Sequence, residues 1–457
     1  MLIRLVLGIS TFAVLASAQL PGQYLRRNDQ FAEESFFSVR NSKLRRQDNA
    51  PGLRPRTPTN SFSGNEDLNS VSSSTVQNIV TANNEFTQKY YQVVSRQSQP
   101  NFVFSPFSIV TLLGMLRAGA NGKTLKELGT TMNVKSAAAG QLYNGFSELF
   151  SNLKTSSKKT NTTFTSSNRL FIQDGFDILT DFQSTLKEKF KAPAQRMDFA
   201  QPNVAALINK VVSEDTNGNI NDLISPGILN NMTRLVALNV LYFKGVWENT
   251  FHGIATKNRD FYTHKGDKIQ VETMSTEDYF KIADIGNLKA KAIALPYVGK
   301  QMEMVILLPN ERDGLQEVEQ KFFSDPSVSF DNIVESLNQP PKNVFLYLPK
   351  FSLETEQDLQ EPLKTLGIQQ AFAQFQADFS RISDTERELY LSKILQKAFL
   401  NVNEVGSEAG AASYGAVFTP LSIGPPVEET IRVDHPFLGF IRHVDTNLIL
   451  FAFRKME

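Results

Sequence analysis

The chain has 457 residues, 41% of them apolar, and its 47 basic and 47 acidic side chains leave a formal net charge of zero. This balance predicts a soluble globular protein that binds no nucleic acid, because no long-range positive field would gather phosphates. Cysteine is absent and only four histidines occur. Disulfides and thiolate zinc sites are thereby excluded, and few residues remain for a Ser-His-Asp triad. We expect no metal, no cofactor and no enzymatic activity.

The first eighteen residues have the pattern of a signal peptide. Arg4 precedes an apolar run from Leu5 to Leu15 that is too short to span a bilayer, and the small residues Ala16-Ser17-Ala18 follow. The pattern predicts cleavage after residue 18 and a secreted, extracellular product that is not held by a membrane. Two sequons, with Asn161 and Asn231 as acceptors, predict glycosylation on that route.

Residues 19–75 differ in composition from the rest of the chain. Ser, Asn, Arg, Gln and Pro dominate, and apolar residues occur singly without helical or alternating periodicity. This composition predicts a disordered N-terminal extension. From Val76 to Glu457 the amino-acid composition is uniform, and no run rich in Pro, Gly and Ser divides it as a linker would. This predicts one large domain over residues 76–457.

Helical and strand patterns alternate irregularly within that domain. A Ser105-Pro106 turn opens a segment whose apolar spacing predicts a buried helix over Ile109 to Leu116. Phe182, Leu186 and Phe190 recur at four-residue steps and predict an amphipathic helix over Thr180 to Phe190. Apolar runs predict strands at Leu235 to Phe243, Met302 to Leu308, Val344 to Leu348 and Asn447 to Phe453. The fold class is therefore α+β, built around large sheets.

Three lysines form a basic cluster near the first sequon. Lys154, Lys158 and Lys159 lie within six positions of one another. Such a cluster has two interpretations: a site for a polyanion such as a sulfated glycosaminoglycan, or a solvated loop. The sequence leaves both open.

The segment from Glu404 to Pro426 is unlike ordinary scaffold. Read with period two, the face that begins at Ser407 continues through Ala409, Ala411 and Ser413 and bears only small side chains. A strand with that face could enter between two existing strands without overpacking the layer beneath it. The alternation and the position between two strand-like runs argue against a flexible linker.

These residues complete a set of motifs, and from Val76 to its C-terminus the chain resembles a serpin. The resembling motifs are Ser105-Pro106-Phe107-Ser108-Ile109, Phe243-Lys244-Gly245-Val246-Trp247-Glu248, Asn401-Val402-Asn403-Glu404-Val405-Gly406-Ser407-Glu408-Ala409 and His435-Pro436-Phe437-Leu438. The resemblance implies a serpin fold of three β-sheets and about nine helices, with an exposed reactive-centre loop.

The resemblance also implies site residues. The hinge of the loop would be Glu404, Gly406, Ser407, Glu408, Ala409, Gly410, Ala411 and Ala412. The shutter and breach of the central sheet would include Ser105, Ser108, Asn239, Trp247 and Gln396. Gln396 stands where the family commonly has a histidine, and its amide can still hydrogen-bond to the shutter serines and Asn239.

The function implied is suicide inhibition of a serine protease, which becomes a covalent partner of a monomeric inhibitor. The protease cuts the loop and forms an acyl-enzyme, and the cut segment then inserts into the central sheet as a strand. At ~3.3 Å per residue, the stretch from Ser407 to Pro420 spans roughly 45 Å. A non-inhibitory serpin, acting as a binding or carrier protein, is the alternative.

The local sequence limits which bond of the loop the protease is expected to cleave. The family's usual spacing would place Pro420 before the cut, and proline there suits almost no serine protease. The Pro-apolar-Ser-Ile pattern favours Leu421-Ser422, and Phe418-Thr419 is the second choice. No lysine or arginine occurs between Lys397 and Arg432. We therefore expect a chymotrypsin- or elastase-like protease with an apolar primary pocket.

Overall fold

The computed structural model describes residues 64–96, 100–134, 139–160, 163–325, 328–384, 389–407 and 426–457. Within these ranges the fold is α+β, as predicted, with nine α-helices and two hydrogen-bonded sheets. The helices are α1 Gly64–Ser95, α2 Pro106–Gly119, α3 Gly122–Thr131, α4 Ala139–Thr160, α5 Thr180–Thr185, α6 Val204–Asp215, α7 Leu315–Ser324, α8 Phe330–Ser336 and α9 Gln360–Thr365. Three single 3-10 turns and one π-helical turn accompany them.

The six-stranded sheet contains the segments that resemble the serpin hinge and shutter. Its strands are β2 Thr163–Gln173, β3 Ala194–Met197, β4 Leu235–Val246, β10 Phe351–Asp358, β11 Leu391–Val402 and β12 Gly406–Ser407. They lie in the order β10-β11-β12-β4-β2-β3, and β11 also pairs directly with β4 in parallel. The apolar run predicted as a buried strand forms most of β4, whose residues are nearly all buried.

The nine-stranded sheet divides into two parts at one long strand. Its members are β1 Phe102–Phe104, β5 Lys257–Tyr262, β6 Lys268–Ile285, β7 Ala290–Pro296, β8 Met302–Pro309, β9 Lys342–Pro349, β13 Glu429–Arg432, β14 Phe437–His443 and β15 Leu448–Lys455. The first part of β6 pairs with β5 and β9, and its last five residues pair with β7. With the six-stranded sheet, the two parts make the three sheets that were predicted.

Helix α2 forms the centre of the hydrophobic core. Ser105 caps its N-terminus by accepting a hydrogen bond from the backbone N–H of Ser108 at 3.2 Å, and Pro106 occupies the first helical position, where no N–H is needed. Almost every residue of α2 is buried, because the helix contacts β2 and β4 of one sheet and β15 of the other. The predicted helix over Ile109 to Leu116 is confirmed.

Two predicted boundaries differ from the structure. The segment predicted as one helix over Thr180 to Phe190 consists of α5 followed by a π-helical turn over Leu186–Phe190. Helix α1 begins at Gly64, ahead of the predicted domain start at Val76. A polar helix end needs no apolar periodicity, since tertiary contacts made further along stabilise the helix. The domain boundaries themselves stay predictions.

Two kinds of structural feature are absent from the described residues. No helix in these ranges is both long and apolar enough to cross a membrane. Nor do the described histidines, aspartates and glutamates form a group of three or more suited to holding a metal ion.

Candidate functional site

The start of the hinge lies between two strands of the six-stranded sheet. Strand β12 pairs antiparallel with β11 through Ser407 and Val402, and with β4 through Gly406 opposite Val246 and Ser407 opposite Gly245. Further along, β11 and β4 pair with each other in parallel, from Leu391–Leu235 to Phe399–Tyr242, with a register shift between Leu391 and Lys393. The two strands are therefore separated at one end by a two-residue strand and paired with each other over most of their length.

Close backbone packing at this point requires glycine. A Cβ at Gly406 would lie 2.7 Å from the Cα of Val246, and it would also overlap the carbonyl oxygen of Gly245. Backbone atoms of a paired strand cannot turn away as a side chain can, so only glycine fits without displacing β12 or β4.

Beneath β12 lies an aromatic cluster that buries the Ser407 side chain. The hydroxyls of Ser407 and Tyr297 share a hydrogen bond of 2.7 Å, and both residues are fully buried. The Trp247 ring stacks on the Tyr297 ring at 4.5 Å between centroids. Burial raises the pKa of Tyr297, and its bond to Ser407 only partly opposes that shift. The phenol therefore stays protonated and available for this hydrogen bond at physiological pH.

Trp247 also holds the turn that precedes β12. Its indole N–H donates to the carbonyl oxygen of Asn403 at 2.9 Å, and its backbone N–H donates to the carbonyl oxygen of Val405 at 2.8 Å. The side-chain oxygen of Asn403 accepts from the backbone N–H groups of Val405 and Gly406. The turn from β11 into β12 is thus anchored to the end of β4.

Glu404 fixes the same turn from its outer side. Its carboxylate accepts a hydrogen bond from the Thr256 hydroxyl at 2.8 Å and lies 3.3 Å from Nζ of Lys350. Burial raises the pKa of Glu404, but hydrogen bonds from its own backbone and Thr256, together with Lys350, lower it more, so the net shift is downward. The carboxylate is therefore ionised at neutral pH.

A row of amide side chains crosses the sheet where β11 and β4 are joined. Nε2 of Gln396 on β11 donates to Oδ1 of Asn239 on β4 at 2.9 Å, and Nδ2 of Asn239 donates to Oδ1 of Asn168 on β2 at 2.9 Å. Gln396 also forms two hydrogen bonds with the backbone of Ser105. The Ser105 N–H donates to Oε1 of Gln396 at 3.0 Å, and Nε2 of Gln396 donates to the Ser105 carbonyl oxygen at 3.1 Å. These bonds fasten β11 to β4 and to the start of α2.

The structure brings together four of the five residues predicted for the shutter and breach. Ser105, Ser108, Asn239 and Gln396 form one buried hydrogen-bonded group, in which the two serine hydroxyls are 3.0 Å apart. Gln396 reaches the backbone of Ser105 rather than a serine hydroxyl, as the bonds above show. Trp247 lies apart from this group, at the end of β4.

Several predicted site residues lie outside the described residues. They are Glu408, Ala409, Gly410, Ala411 and Ala412 of the hinge, the Leu421-Ser422 bond, and Asn161. Asn231 is described and exposed, as is Lys154 on α4, whereas the side chains of Lys158 and Lys159 are not described.

Sequence reasoning missed four contributors to the site: Tyr297, Asn168, Thr256 and Lys350. They approach from β7's end, β2, the 3-10 turn before β5, and the link between β9 and β10. Tyr297 and Lys350 share one signal, because each follows a proline at the end of an apolar run. Asn168 and Thr256 are polar residues in positions where polar residues are ordinary.

Curated relatives match over most of the chain. Serpin B6 of Pongo abelii is 34% identical over 381 residues, covering 82% of this chain and 98% of the relative. Leukocyte elastase inhibitor A of Mus musculus is 33% identical over 386 residues, covering 83% and 99%.

These relatives contradict the predicted secretion. Serpin B6, the leukocyte elastase inhibitors and Serpin B4 are clade B serpins, which are intracellular and lack a signal peptide. The prediction of a secreted, extracellular product is therefore wrong. A short apolar run after a basic residue is a compositional pattern only, and residues 1–18 lie outside the described residues. The predicted glycosylation of Asn161 and Asn231 depended on export and loses its premise.

Family and structure comparisons agree on the fold. The family model for serpins, described as serine protease inhibitors, matches residues 81–456. The crystal structure of Serpin48, described as a highly specific serpin of the insect Tenebrio molitor, superposes with a TM-score of 0.73 at 32% identity and covers 83% of this chain and 98% of that one. The chain belongs to the serpin family of serine protease inhibitors.

Proposed function

We propose that this protein inhibits serine endopeptidases by inserting its cleaved loop between β11 and β4. The observation that supports this most directly is β12, two residues already paired antiparallel with both strands. A strand that continued β12 would run antiparallel to both neighbours. It would replace the single parallel ladder between β11 and β4 with two antiparallel ladders, which are slightly more stable per residue.

The side-chain pattern supports the same path. Ser407 is buried with its hydroxyl against Tyr297, so the face that begins at Ser407 is turned toward the core. With period two that face continues through Ala409, Ala411 and Ser413, all of them small. Small side chains could enter above the core without overpacking it.

Insertion would trap the protease before it completes its reaction. The catalytic serine attacks the carbonyl carbon of the residue before the cut, forming an ester as the peptide bond breaks and the new amine leaves. The segment attached to the ester then enters the sheet and moves the protease roughly 45 Å, at ~3.3 Å per inserted residue. Hydrolysis of the ester by water is the competing step, so the outcome depends on how fast insertion is.

The proposed target has an apolar primary pocket, as in chymotrypsin or elastase, and the proposed bond is Leu421-Ser422. The absence of basic residues between Lys397 and Arg432 supports an apolar pocket. The name of a matched relative, leukocyte elastase inhibitor A, supports elastase as the first protease to test.

Incubation with elastase, chymotrypsin and trypsin tests the proposal. We expect an SDS-stable covalent band with elastase or chymotrypsin and none with trypsin. Ser407→Arg would place a long charged side chain on the buried face and should give cleaved protein without the band. Ile254→Arg adds the same charge at a position that is 84% exposed and should leave the band unchanged.

Two substitutions identify the bond. Leu421→Arg should create a trypsin-sensitive, trypsin-trapping loop, whereas Phe418→Arg should give cleavage without trapping if the second choice of bond is wrong. Cleavage of the unmodified chain by every apolar-specific protease with no stable band would favour the non-inhibitory carrier alternative instead.

A further inference from the structure

An open cavity of about 350 Å³ lies in the part of the nine-stranded sheet formed by β5, β6, β9 and β13. Its lining is polar and includes two arginines and a tyrosine from three different strands. Lining residues are Asn258, Arg259, Gln270, Thr273, Tyr347 and Arg432. The apolar residues of β9 that alternate with Tyr347 are fully buried, so the cavity is on the sheet face opposite to the core.

Two guanidinium groups share one aromatic ring in this cavity. The guanidinium carbon of Arg259 lies 4.5 Å from the Tyr347 ring centroid, and that of Arg432 lies 4.3 Å from it. Arg432 is directly opposite Tyr347 in the β13–β9 pairing. The two positive charges are therefore within one Debye length of each other, ~10 Å at 0.1 M ionic strength, and repel each other.

Neither arginine has an acidic partner among the described residues. Nε of Arg259 is buried and has no hydrogen-bond acceptor within the same described ranges. A buried donor without an acceptor is unfavourable, and it is rarer still when the donor is charged. The arrangement therefore favours an anion that pairs with both positive charges and accepts the Nε–H of Arg259.

The two carboxylates at the cavity are already engaged elsewhere. Asp260 lies 3.1 Å from Nζ of Lys268 and accepts a hydrogen bond from Gln270. Asp434 lies 2.8 Å from Nδ1 of His435 and 3.7 Å from Arg312. The local cations Lys268 and Arg312 thus offset the local acids, and the charges of Arg259 and Arg432 remain.

We propose that this cavity binds a phosphate or sulfate group between the guanidiniums of Arg259 and Arg432. The cation–π contacts with Tyr347 use none of the guanidinium N–H groups as conventional hydrogen-bond donors, so these donors can bind an acceptor in the cavity. Paired forks of this kind match oxyanions, and the cavity volume leaves room for a small molecule that bears the group. This ligand site is separate from the loop-insertion site and goes beyond protease inhibition.

Titration calorimetry with inorganic phosphate and with inorganic sulfate tests the proposal, at ionic strength held constant with sodium chloride. We expect saturable binding of at least one of the two anions. Arg259→Gln and Arg432→Gln should each weaken it by ~10-fold or more, because each removes charge-assisted hydrogen bonds. Lys281→Gln, at an exposed lysine on the other part of β6, removes the same charge and should leave the affinity unchanged.

Comparing the affinities for phosphate, sulfate and acetate identifies which class of anion the cavity binds. Tighter binding of phosphate than sulfate would assign a phosphate ester, and the reverse would assign a sulfate ester. Acetate binding as tightly as either would overturn the assignment in favour of a carboxylate ligand. Binding of neither anion, or binding that survives both arginine substitutions, would overturn the site. Near-identical circular dichroism and unfolding of the variants establishes that lost binding is not lost folding.

Discussion

Replacing Gly406 with alanine should expel β12 from the sheet. The added Cβ would lie 2.7 Å from the Cα of Val246 and overlap the Gly245 carbonyl, and neither backbone atom can move without breaking the β4 pairing. The backbone of Gly406 does not have a positive φ, so alanine brings no torsional strain of its own. The effect is therefore steric and local.

The free energy that holds β12 in place is small. Each hydrogen bond lost when β12 leaves, including the one between Ser407 and Tyr297, contributes about 1 kcal/mol net. Ordering each of the two residues costs about 1–2 kcal/mol of backbone entropy. The attached state is favoured by no more than a few kcal/mol, so a backbone overlap of this size should shift the equilibrium to the released state.

Tryptophan fluorescence measures the release, since Trp247 is the single tryptophan of the chain. In the attached state it is buried against Tyr297 and bonded to Asn403. We expect Gly406→Ala to shift its emission to longer wavelength and to expose the hinge to proteolysis. Gly286→Ala, where no atom lies within 4 Å of the new Cβ, is the matched control and should change neither. An emission spectrum and proteolysis rate identical to those of the parent would refute the steric argument.

Three other substitutions test the contacts around β12. Tyr297→Phe should lower the free energy of unfolding in urea by about 1 kcal/mol, because the buried Ser407 hydroxyl loses its partner. Adding Ser407→Ala to Tyr297→Phe should destabilise the protein no further, and additive losses of stability from the two substitutions would contradict the contact. Gln396→Ala should cost about 1–3 kcal/mol, since it leaves Asn239 and the start of α2 with buried unpaired groups; an unchanged midpoint would argue against the amide row. Because folding lowers the pKa of Glu404, its carboxylate stabilises the fold at pH values above the unfolded pKa of about 4.3, and this stabilisation is lost as pH falls through the pKa of the folded state. Trp247 emission should therefore change as the pH is lowered through this range, and Glu404→Gln should remove that change.

Much of the fold was accessible from local patterns. The apolar runs at Leu235 to Phe243 and Met302 to Leu308 became the buried strands β4 and β8. The Ser105-Pro106 signal correctly placed the start of α2. These predictions succeeded because the period of buried side chains is set within a few residues of the chain.

The insertion site was accessible only in part. The small-residue face beginning at Ser407 could be read from alternation, and four members of the shutter group from resemblance. The Tyr297 hydroxyl that meets Ser407 is 110 positions away in the chain. No local pattern announces such a contact, since it depends on the relative register of β7, β4 and β12.

By itself, the sequence determined which segments are buried, which way their side chains alternate and which family the motifs resemble. Only the tertiary structure decided that β12 already separates β11 from β4, and that Arg259 and Arg432 meet over Tyr347. The hydrophobic periodicity of a segment predicts which of its side chains are buried in the core. Strand order and the register between distant segments depend instead on the packing of the whole domain.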